Sequence, residues 1–172
     1  MHGMRGMIVP RLRVVLAASA ILAALALGIA LASEAFEGLV PCALCLIERW
    51  PYRIAIALGI LGLILPRPWA RLALALIGLT IFADAAVAAV HVGVEFRWWP
   101  SPLPECMAPT FSGGSIAQRL ASMPAKPSKP CEDAAYLIPF IPVSMAAMNM
   151  LFALAFAGAI GAFLWTTRRS AP

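Results

Sequence analysis

The stretch that decides how this chain is organised is Pro41-Cys42-Ala43-Leu44-Cys45-Leu46-Ile47-Glu48-Arg49. It places a Cys-x-x-Cys pair between two long apolar runs, and charged residues follow the pair at once. Two residues between cysteines allow an easily exchanged disulfide, and such a pair at a chain bend is typical of redox catalysis. A structural disulfide and half of a zinc site are the alternatives that the pair alone leaves open.

The residues around the pair predict that one of its thiols is reactive. Pro41 has no N–H and favours an extended approach to the first cysteine. Cys45 is predicted at the start of a helix, where the positive end of the helix dipole stabilises a thiolate. Arg49 is four residues further on, so it lies on the same helical face and adds a positive charge. The sequence therefore predicts a low-pKa thiol at Cys45, at the edge of a membrane.

The composition of the chain predicts an integral membrane protein. Of its 172 residues, 62% are hydrophobic and 12% are charged, and the mean hydropathy is +0.89. Soluble domains are only about half apolar. The length suits a single domain, and the net charge of +5 is better explained by membrane topology than by a nucleic-acid partner.

Four apolar segments predict a bundle of four membrane-spanning helices. The spans are expected at about 14–32, 46–65, 72–91 and 145–165, with outer loops at about 33–45 and 92–144. The long loop is rich in proline and does not cross a bilayer. Its Ser-x-x-Gln capping box predicts a short surface helix over 115–123. Alternatively, the basic start and Ala30-Leu31-Ala32 form a cleaved secretory signal, which would leave three spans.

The distribution of basic residues predicts the orientation of the spans. The two chain ends and the turn after the second span hold no acid and seven basic residues, namely Arg5, Arg11, Arg13, Arg67, Arg71, Arg168 and Arg169. The positive-inside rule places these segments in the cytoplasm. Both cysteine pairs then lie on one oxidising face, where they can exchange disulfides. A zinc site is disfavoured because 24 residues separate Cys106 from Cys131.

The second cysteine pair allows two interpretations. Cys106 follows Pro104 and Glu105, a context that predicts an exposed and mobile residue. Two acids follow Cys131 and should raise its pKa. The pair is either a substrate-facing disulfide or a loop-closing structural bridge, which loop entropy makes worth about 3 kcal/mol. Spacing alone favours the structural bridge.

Two polar residues of the third span are further candidates. His91 ends that span, where it could donate a hydrogen bond to a quinone carbonyl, shuttle a proton or simply contact water. Asp84 lies two turns below on the same face and either relays protons or bridges helices, with the structural role favoured. Small residues predict close helix packing at two glycine pairs, Gly59 with Gly62 and Gly158 with Gly161.

Together these features resemble the disulfide bond formation protein B family over essentially the whole chain. The resemblance rests on the four spans, the Pro-Cys-x-x-Cys-x-x-Glu-Arg motif at 41–49, the histidine ending the third span and the cysteine pair in the next loop. It implies an all-α membrane protein, a four-transmembrane-helix bundle whose long periplasmic loop carries a short surface helix. It also implies the bacterial inner membrane, with both termini cytoplasmic and both cysteine pairs periplasmic.

The same resemblance implies a quinone-dependent thiol oxidoreductase. Its partner would be a periplasmic thioredoxin-fold, DsbA-like dithiol protein, and its electrons would pass to ubiquinone or menaquinone. By position, Cys106 would form the mixed disulfide with the partner, Cys131 would resolve it by way of Cys42, and Cys45 would donate to the quinone. Arg49 and His91 would help to bind the quinone, and no metal is expected.

A different class of function competes with this one. A small helical membrane scaffold or transporter with structural disulfides would have the same composition and span count. It predicts that Cys45→Ser leaves function intact and that Cys106→Ser destabilises the loop.

Overall fold

A computed structural model of the chain describes residues 3–106, 115–117, 129–138 and 140–169. Within these ranges it has no strand and four long helices: α1 (Gly3–Phe36), α2 (Ala43–Ile64), α3 (Arg67–Glu95) and α4 (Met145–Arg169). A 3-10 helix at Pro104–Cys106 begins the long loop. The all-α class is confirmed for the described part, whereas most of the surface helix predicted at 115–123 lies outside it.

Three of the four helices are long and apolar enough to cross a membrane. These segments are Arg11–Phe36, Arg67–Glu95 and Met145–Arg168. The remaining helix, α2, has the length of a span, but Glu48, Arg49 and Arg53 interrupt its apolar character. Large apolar side chains such as Leu79 and Phe82 point outward and are more than half exposed. Such an apolar outer surface suits lipid rather than water.

Neighbouring helices pack in chain order, α1 with α2, α2 with α3 and α3 with α4. Their shared core is made of aliphatic side chains, among them Leu16, Leu74, Ile77 and Ile81, which are fully buried. A Cβ on Gly59 would lie 2.8 Å from the Ala20 Cβ, so this glycine lets α1 and α2 approach closely.

The second predicted glycine pair has no such role among the described residues. A Cβ on Gly158 or Gly161 would meet no atom of these residues within 4 Å. The expectation of close packing at this pair is therefore wrong for contacts with the described part of the chain, because this face of α4 is turned outward. Sequence spacing alone does not tell which face of a helix meets a neighbour.

Polar contacts fix the outer ends of α3 and α4 relative to each other. Ser144 precedes α4, and its Oγ accepts a hydrogen bond from the Ala147 N–H at 3.2 Å. The same hydroxyl donates to Glu95 at the end of α3. Serine in this position satisfies an N–H group at the start of a helix that would otherwise be unpaired. This junction lies at the end of the bundle that also holds His91, the first cysteine pair and the second.

Candidate functional site

The first cysteine pair forms the start of α2. Cys42 is the N-cap residue, in an extended conformation, and its Sγ accepts a hydrogen bond from the Cys45 N–H at 3.2 Å. The two sulfur atoms are 2.8 Å apart, and both cysteines are free. Hydrogen bonding from the Cys45 thiol, helped by backbone N–H groups, lowers the pKa of the Cys42 thiol.

This geometry favours a thiolate at Cys42, three residues before the predicted place at Cys45. The sequence placed it on Cys45 as the residue that opens the helix. In the structure the helix begins at Ala43, so Cys42 is the cap and receives the N–H hydrogen bonds. Cys45 lies within the first turn and is the more accessible of the two thiols.

A buried carboxylate–imidazole pair lies directly beside Cys42. The His91 Nε2 is 3.4 Å from the Cys42 Sγ, and the His91 Nδ1 is 2.7 Å from Glu48 Oε1. Only 3% of His91 and 7% of Glu48 are exposed, so solvent screens this pair little. Glu48 accepts the Nδ1 hydrogen and so orients the ring with Nε2 toward the thiol. The trio can move a proton between the sulfur and the imidazole.

The polar cluster continues from Glu48 toward the middle of the bundle. The amide Nδ2 of Asn149 donates to Glu48 Oε2 at 3.0 Å and to Asp84 Oδ2 at 3.2 Å. The Tyr52 hydroxyl donates to the Asn149 Oδ1. Asp84 is completely buried, and its Oδ1 has no hydrogen-bond partner among the described residues. Asp84 therefore contacts Asn149 of α4, as a helix-bridging residue does.

The second cysteine pair is a disulfide buried against the first pair. Cys106 and Cys131 are bonded to each other, and the Cys131 N–H donates to the Cys106 carbonyl at 3.1 Å. Only 2% and 0% of them are exposed, and with Cys42 they belong to one buried cluster completed by Leu44 and Val94. The predicted exposed and mobile context of Cys106 is therefore wrong, because the loop packs its disulfide onto the starts and ends of helices.

A largely apolar cavity of about 460 Å³ opens beside the first pair. Its walls come from α1, α2, α4 and the end of the long loop, and Cys45, Glu48 and Arg49 contribute its polar end. Arg49 donates to Glu34 Oε2 at 2.8 Å, so its charge is partly offset by the end of α1. His91 does not line this cavity. The predicted contact of His91 with a quinone is therefore not supported, since both ring nitrogens already face Cys42 and Glu48.

Three residues of the site were not singled out from the sequence for chemistry. Glu48 entered the sequence analysis only as part of the 41–49 motif, and Tyr52 and Asn149 received no role. A signal was present, because Asn149 is the one amide side chain in the apolar segment 145–165. Polar residues inside a membrane segment are functional or structural candidates by default.

Comparison with known proteins gave one match. A family model described as "Disulfide bond formation protein DsbB" matches residues 12–163, which is most of the chain. Neither the curated proteins nor the solved structures gave a significant match.

Proposed function

The chain belongs to the DsbB family of membrane thiol oxidoreductases that act in disulfide-bond formation, and from this premise we propose its specific reaction. It reoxidises a periplasmic thioredoxin-fold, DsbA-like dithiol protein and passes the electrons to ubiquinone or menaquinone. The proposal includes four spans, with α2 as the fourth, both termini in the cytoplasm and both cysteine pairs on the periplasmic face of the bacterial inner membrane.

The observation that carries the proposal is that the two cysteines of the first pair have different neighbours. The Cys106–Cys131 disulfide packs against Cys42, whereas Cys45 faces the apolar cavity. The first pair thus lies between the loop disulfide on one side and, on the other, a space that suits an apolar ring and tail. This arrangement supports an exchange from the loop pair to the cavity pair and then to an acceptor in the cavity.

The thiol steps balance without any further reactant. A partner thiolate attacks Cys106 and Cys131 leaves as a thiolate, and the second partner thiol then releases the oxidised partner and reduced Cys106. Cys131 next attacks the Cys42–Cys45 disulfide at Cys42, and Cys106 displaces Cys42, which re-forms Cys106–Cys131 and leaves two free thiols. A bonded loop pair with a free cavity pair is the combination that the structure has.

The cavity fits a quinone by its chemistry. It is apolar along most of its walls and has Cys45, Glu48 and Arg49 at one end. Those three residues would hold the headgroup, and the aliphatic walls would hold the tail. When bound, a quinone supplies an acceptor for two electrons and two protons.

The residues of the chain manage the protons of the first pair. His91 takes the proton of Cys42 at Nε2, while Glu48 stabilises the resulting imidazolium through Nδ1. Glu48 also lines the cavity, so it connects the proton-holding histidine with the polar end of that space. The chain thereby keeps Cys42 as a thiolate and leaves Cys45 facing the cavity.

The test is quinone reduction by the purified protein in detergent. A reduced thioredoxin-fold dithiol protein is added with a soluble ubiquinone analogue, and quinone absorbance is followed for wild type and Cys45→Ser. We expect turnover that needs both the dithiol protein and Cys45. The double variant Cys106→Ser/Cys131→Ser should lose turnover with the dithiol protein but keep it with dithiothreitol, which reaches Cys42–Cys45 directly.

The opposite result has an equally clear meaning. If wild type and Cys45→Ser are equally inactive with several dithiol proteins and quinones, the proposed oxidase reaction is refuted. The buried Cys106–Cys131 bridge would then favour a membrane scaffold with a structural disulfide.

A further inference from the structure

The first cysteine pair and His91 form a donor set for a metal ion. One ligand atom from each of Cys42, Cys45 and His91 lies within 4.8 Å of the other two. The sequence disfavoured zinc on the spacing of the two cysteine pairs. That argument does not apply here, because the third donor is a histidine from α3 that only the fold brings to the pair.

The donor types match a known class of zinc site. Two thiolates and one imidazole bind zinc at about 2.3 Å and 2.0–2.1 Å, with a water in the fourth position. Ligand atoms around one tetrahedral ion then lie roughly 3.5 Å apart. The Cys42 Sγ to His91 Nε2 distance of 3.4 Å already satisfies this, and the sulfurs need to separate only from 2.8 Å. Rotation of the more accessible Cys45 side chain supplies that movement.

The residues behind the histidine also suit a metal ligand. Glu48 accepts from Nδ1 of His91 at 2.7 Å and leaves Nε2 directed at the sulfurs. A carboxylate on the far nitrogen of a metal-binding histidine fixes its tautomer and raises its basicity. Glu48 is itself fixed by the Asn149 amide at 3.0 Å. The imidazole is thus already oriented as a ligand.

Charge and access also favour a divalent cation at this place. One dication replaces two protons, so binding leaves the net charge of this buried site unchanged, where an added charge would be costly. Arg49, a cationic side chain that lines the cavity, is already paired with Glu34. Cys45 and Glu48 line the cavity, so an ion has a path to the sulfurs.

We propose that the reduced Cys42–Cys45 pair and His91 bind one zinc ion, and that the bound ion holds the pair in its reduced state. Binding forms two Zn–S bonds and one Zn–N bond, and it releases two protons, one from the Cys45 thiol and one that Cys42 shares with His91 Nε2. The disulfide offers no thiolate, so only the reduced protein binds. Bound zinc occupies both sulfurs and prevents disulfide formation until it leaves, so it acts as a reversible inhibitor.

The test measures binding directly and does not depend on quinone turnover. Full-length protein carrying Cys106→Ser and Cys131→Ser is reduced in detergent, freed of reductant without air and titrated with Zn²⁺ against a chromophoric chelator. We expect one ion and two released protons per chain. Co²⁺ should give a thiolate charge-transfer band and the strong visible bands of a four-coordinate ion.

Variants in the same background identify the donors. His91→Ala should weaken zinc binding at least tenfold and abolish the four-coordinate cobalt bands. Glu48→Gln should weaken it about 10- to 100-fold, as expected for a residue that orients a ligand. His2→Ala removes the chain's other histidine and should change nothing. The air-oxidised protein has the same sequence and should bind no zinc, which shows that binding requires the free thiols.

Two results would overturn the proposal. Equal zinc binding by reduced and oxidised protein would mean that the thiols are not ligands. Unchanged affinity and cobalt spectrum in His91→Ala would mean that the histidine is not a ligand. Neither result depends on whether the protein reduces quinone, so the two proposals fail independently.

Discussion

At the scale of single residues, the chemistry of the first pair depends on where one helix begins. Helix boundaries are the least certain part of a helix that is predicted from sequence alone. The Cys-x-x-Cys spacing predicts a reactive thiol, and the cap position decides which of the two sulfurs accepts N–H hydrogen bonds. Because Cys42 is the cap, the structure favours the thiolate there.

The hydrogen bond between the two thiols gives a prediction about Cys42. The first cause of its lowered pKa is donation from the Cys45 side chain. A lower pKa means more thiolate, and hence faster alkylation, below the usual thiol pKa of about 8.5. In Cys45→Ser the hydroxyl still donates, whereas in Cys45→Ala nothing does. We therefore expect the midpoint of the iodoacetamide rate against pH to be higher in Cys45→Ala than in Cys45→Ser.

Both variants leave Cys42 as the one free thiol among the described cysteines, so the measured alkylation rate reports on Cys42 alone. Equal midpoints in the two variants would show that the Cys45 side chain does not control this pKa. A higher midpoint in Cys45→Ser than in Cys45→Ala would contradict the direction of the hydrogen bond.

Asp84 gives a second prediction at this scale. It is fully buried in α3 and accepts one hydrogen bond from Asn149, and no cation pairs with it among the described residues. Asparagine has the same shape without a charge, so Asp84→Asn should leave the thermal unfolding midpoint unchanged or raise it. Asp84→Ala should lower stability by about 1–3 kcal/mol, because the amide loses its acceptor. An equal loss in both variants would show that the carboxyl itself is required.

At the scale of helices, the sequence predicts where the helices lie but not which face of each helix contacts a neighbour. Apolar runs predicted the four helices, three of which carry an apolar segment long enough to span a membrane. The partners of each face were not predictable, since glycine pairs in α2 and α4 have the same spacing but different surroundings. Within the part of the chain that the structure describes, only the pair in α2 meets a neighbour.

Alanine substitutions at these two glycine pairs should separate the two cases. A Cβ at Gly59 would lie 2.8 Å from Ala20 Cβ and 3.3 Å from the Leu16 carbonyl oxygen. Gly59→Ala must push α1 away, and overpacking of this kind costs about 1–3 kcal/mol. Gly158→Ala meets nothing within 4 Å, and alanine is favoured in helices by up to about 1 kcal/mol.

Thermal unfolding in one detergent measures both glycine variants. We expect a lower midpoint for Gly59→Ala and an equal or higher midpoint for Gly158→Ala. A midpoint for Gly59→Ala at or above that of wild type would show that α1 and α2 are not in close contact at this position.

At the scale of the whole molecule, the sequence predicted the parts but not their assembly. It identified the four cysteines, Arg49, His91 and Asp84 as candidates, since each is unusual in a membrane protein. It did not predict that the loop disulfide packs on Cys42, because residues 25 or more positions apart meet only through the fold. For the same reason the contact of His91 with Glu48 was not expected.

Burial of the loop disulfide predicts that a small reductant reaches it only when the cluster opens. Val94 is 3% exposed and belongs to the cluster that encloses Cys106–Cys131. Val94→Ala removes two buried carbons at about 0.8 kcal/mol each, and 1.4 kcal/mol is about tenfold in an equilibrium. Opening of the cluster, and with it reduction by a water-soluble phosphine, should therefore become about tenfold faster. Alkylation and mass analysis of the peptides that carry Cys106 and Cys131 give the rate.

Val90 provides the matched control, because it is one turn earlier on α3 and 37% exposed. Val90→Ala should leave the reduction rate of Cys106–Cys131 near that of wild type. If wild type is already reduced as fast as an exposed disulfide, or if both valine variants accelerate equally, the disulfide is not enclosed by this cluster. If the disulfide is enclosed by this cluster, a dithiol partner in the proposed reaction must first move the loop away from Val94. The contacts between that partner and the loop, rather than the reactivity of an open sulfur, would then limit which proteins are oxidised.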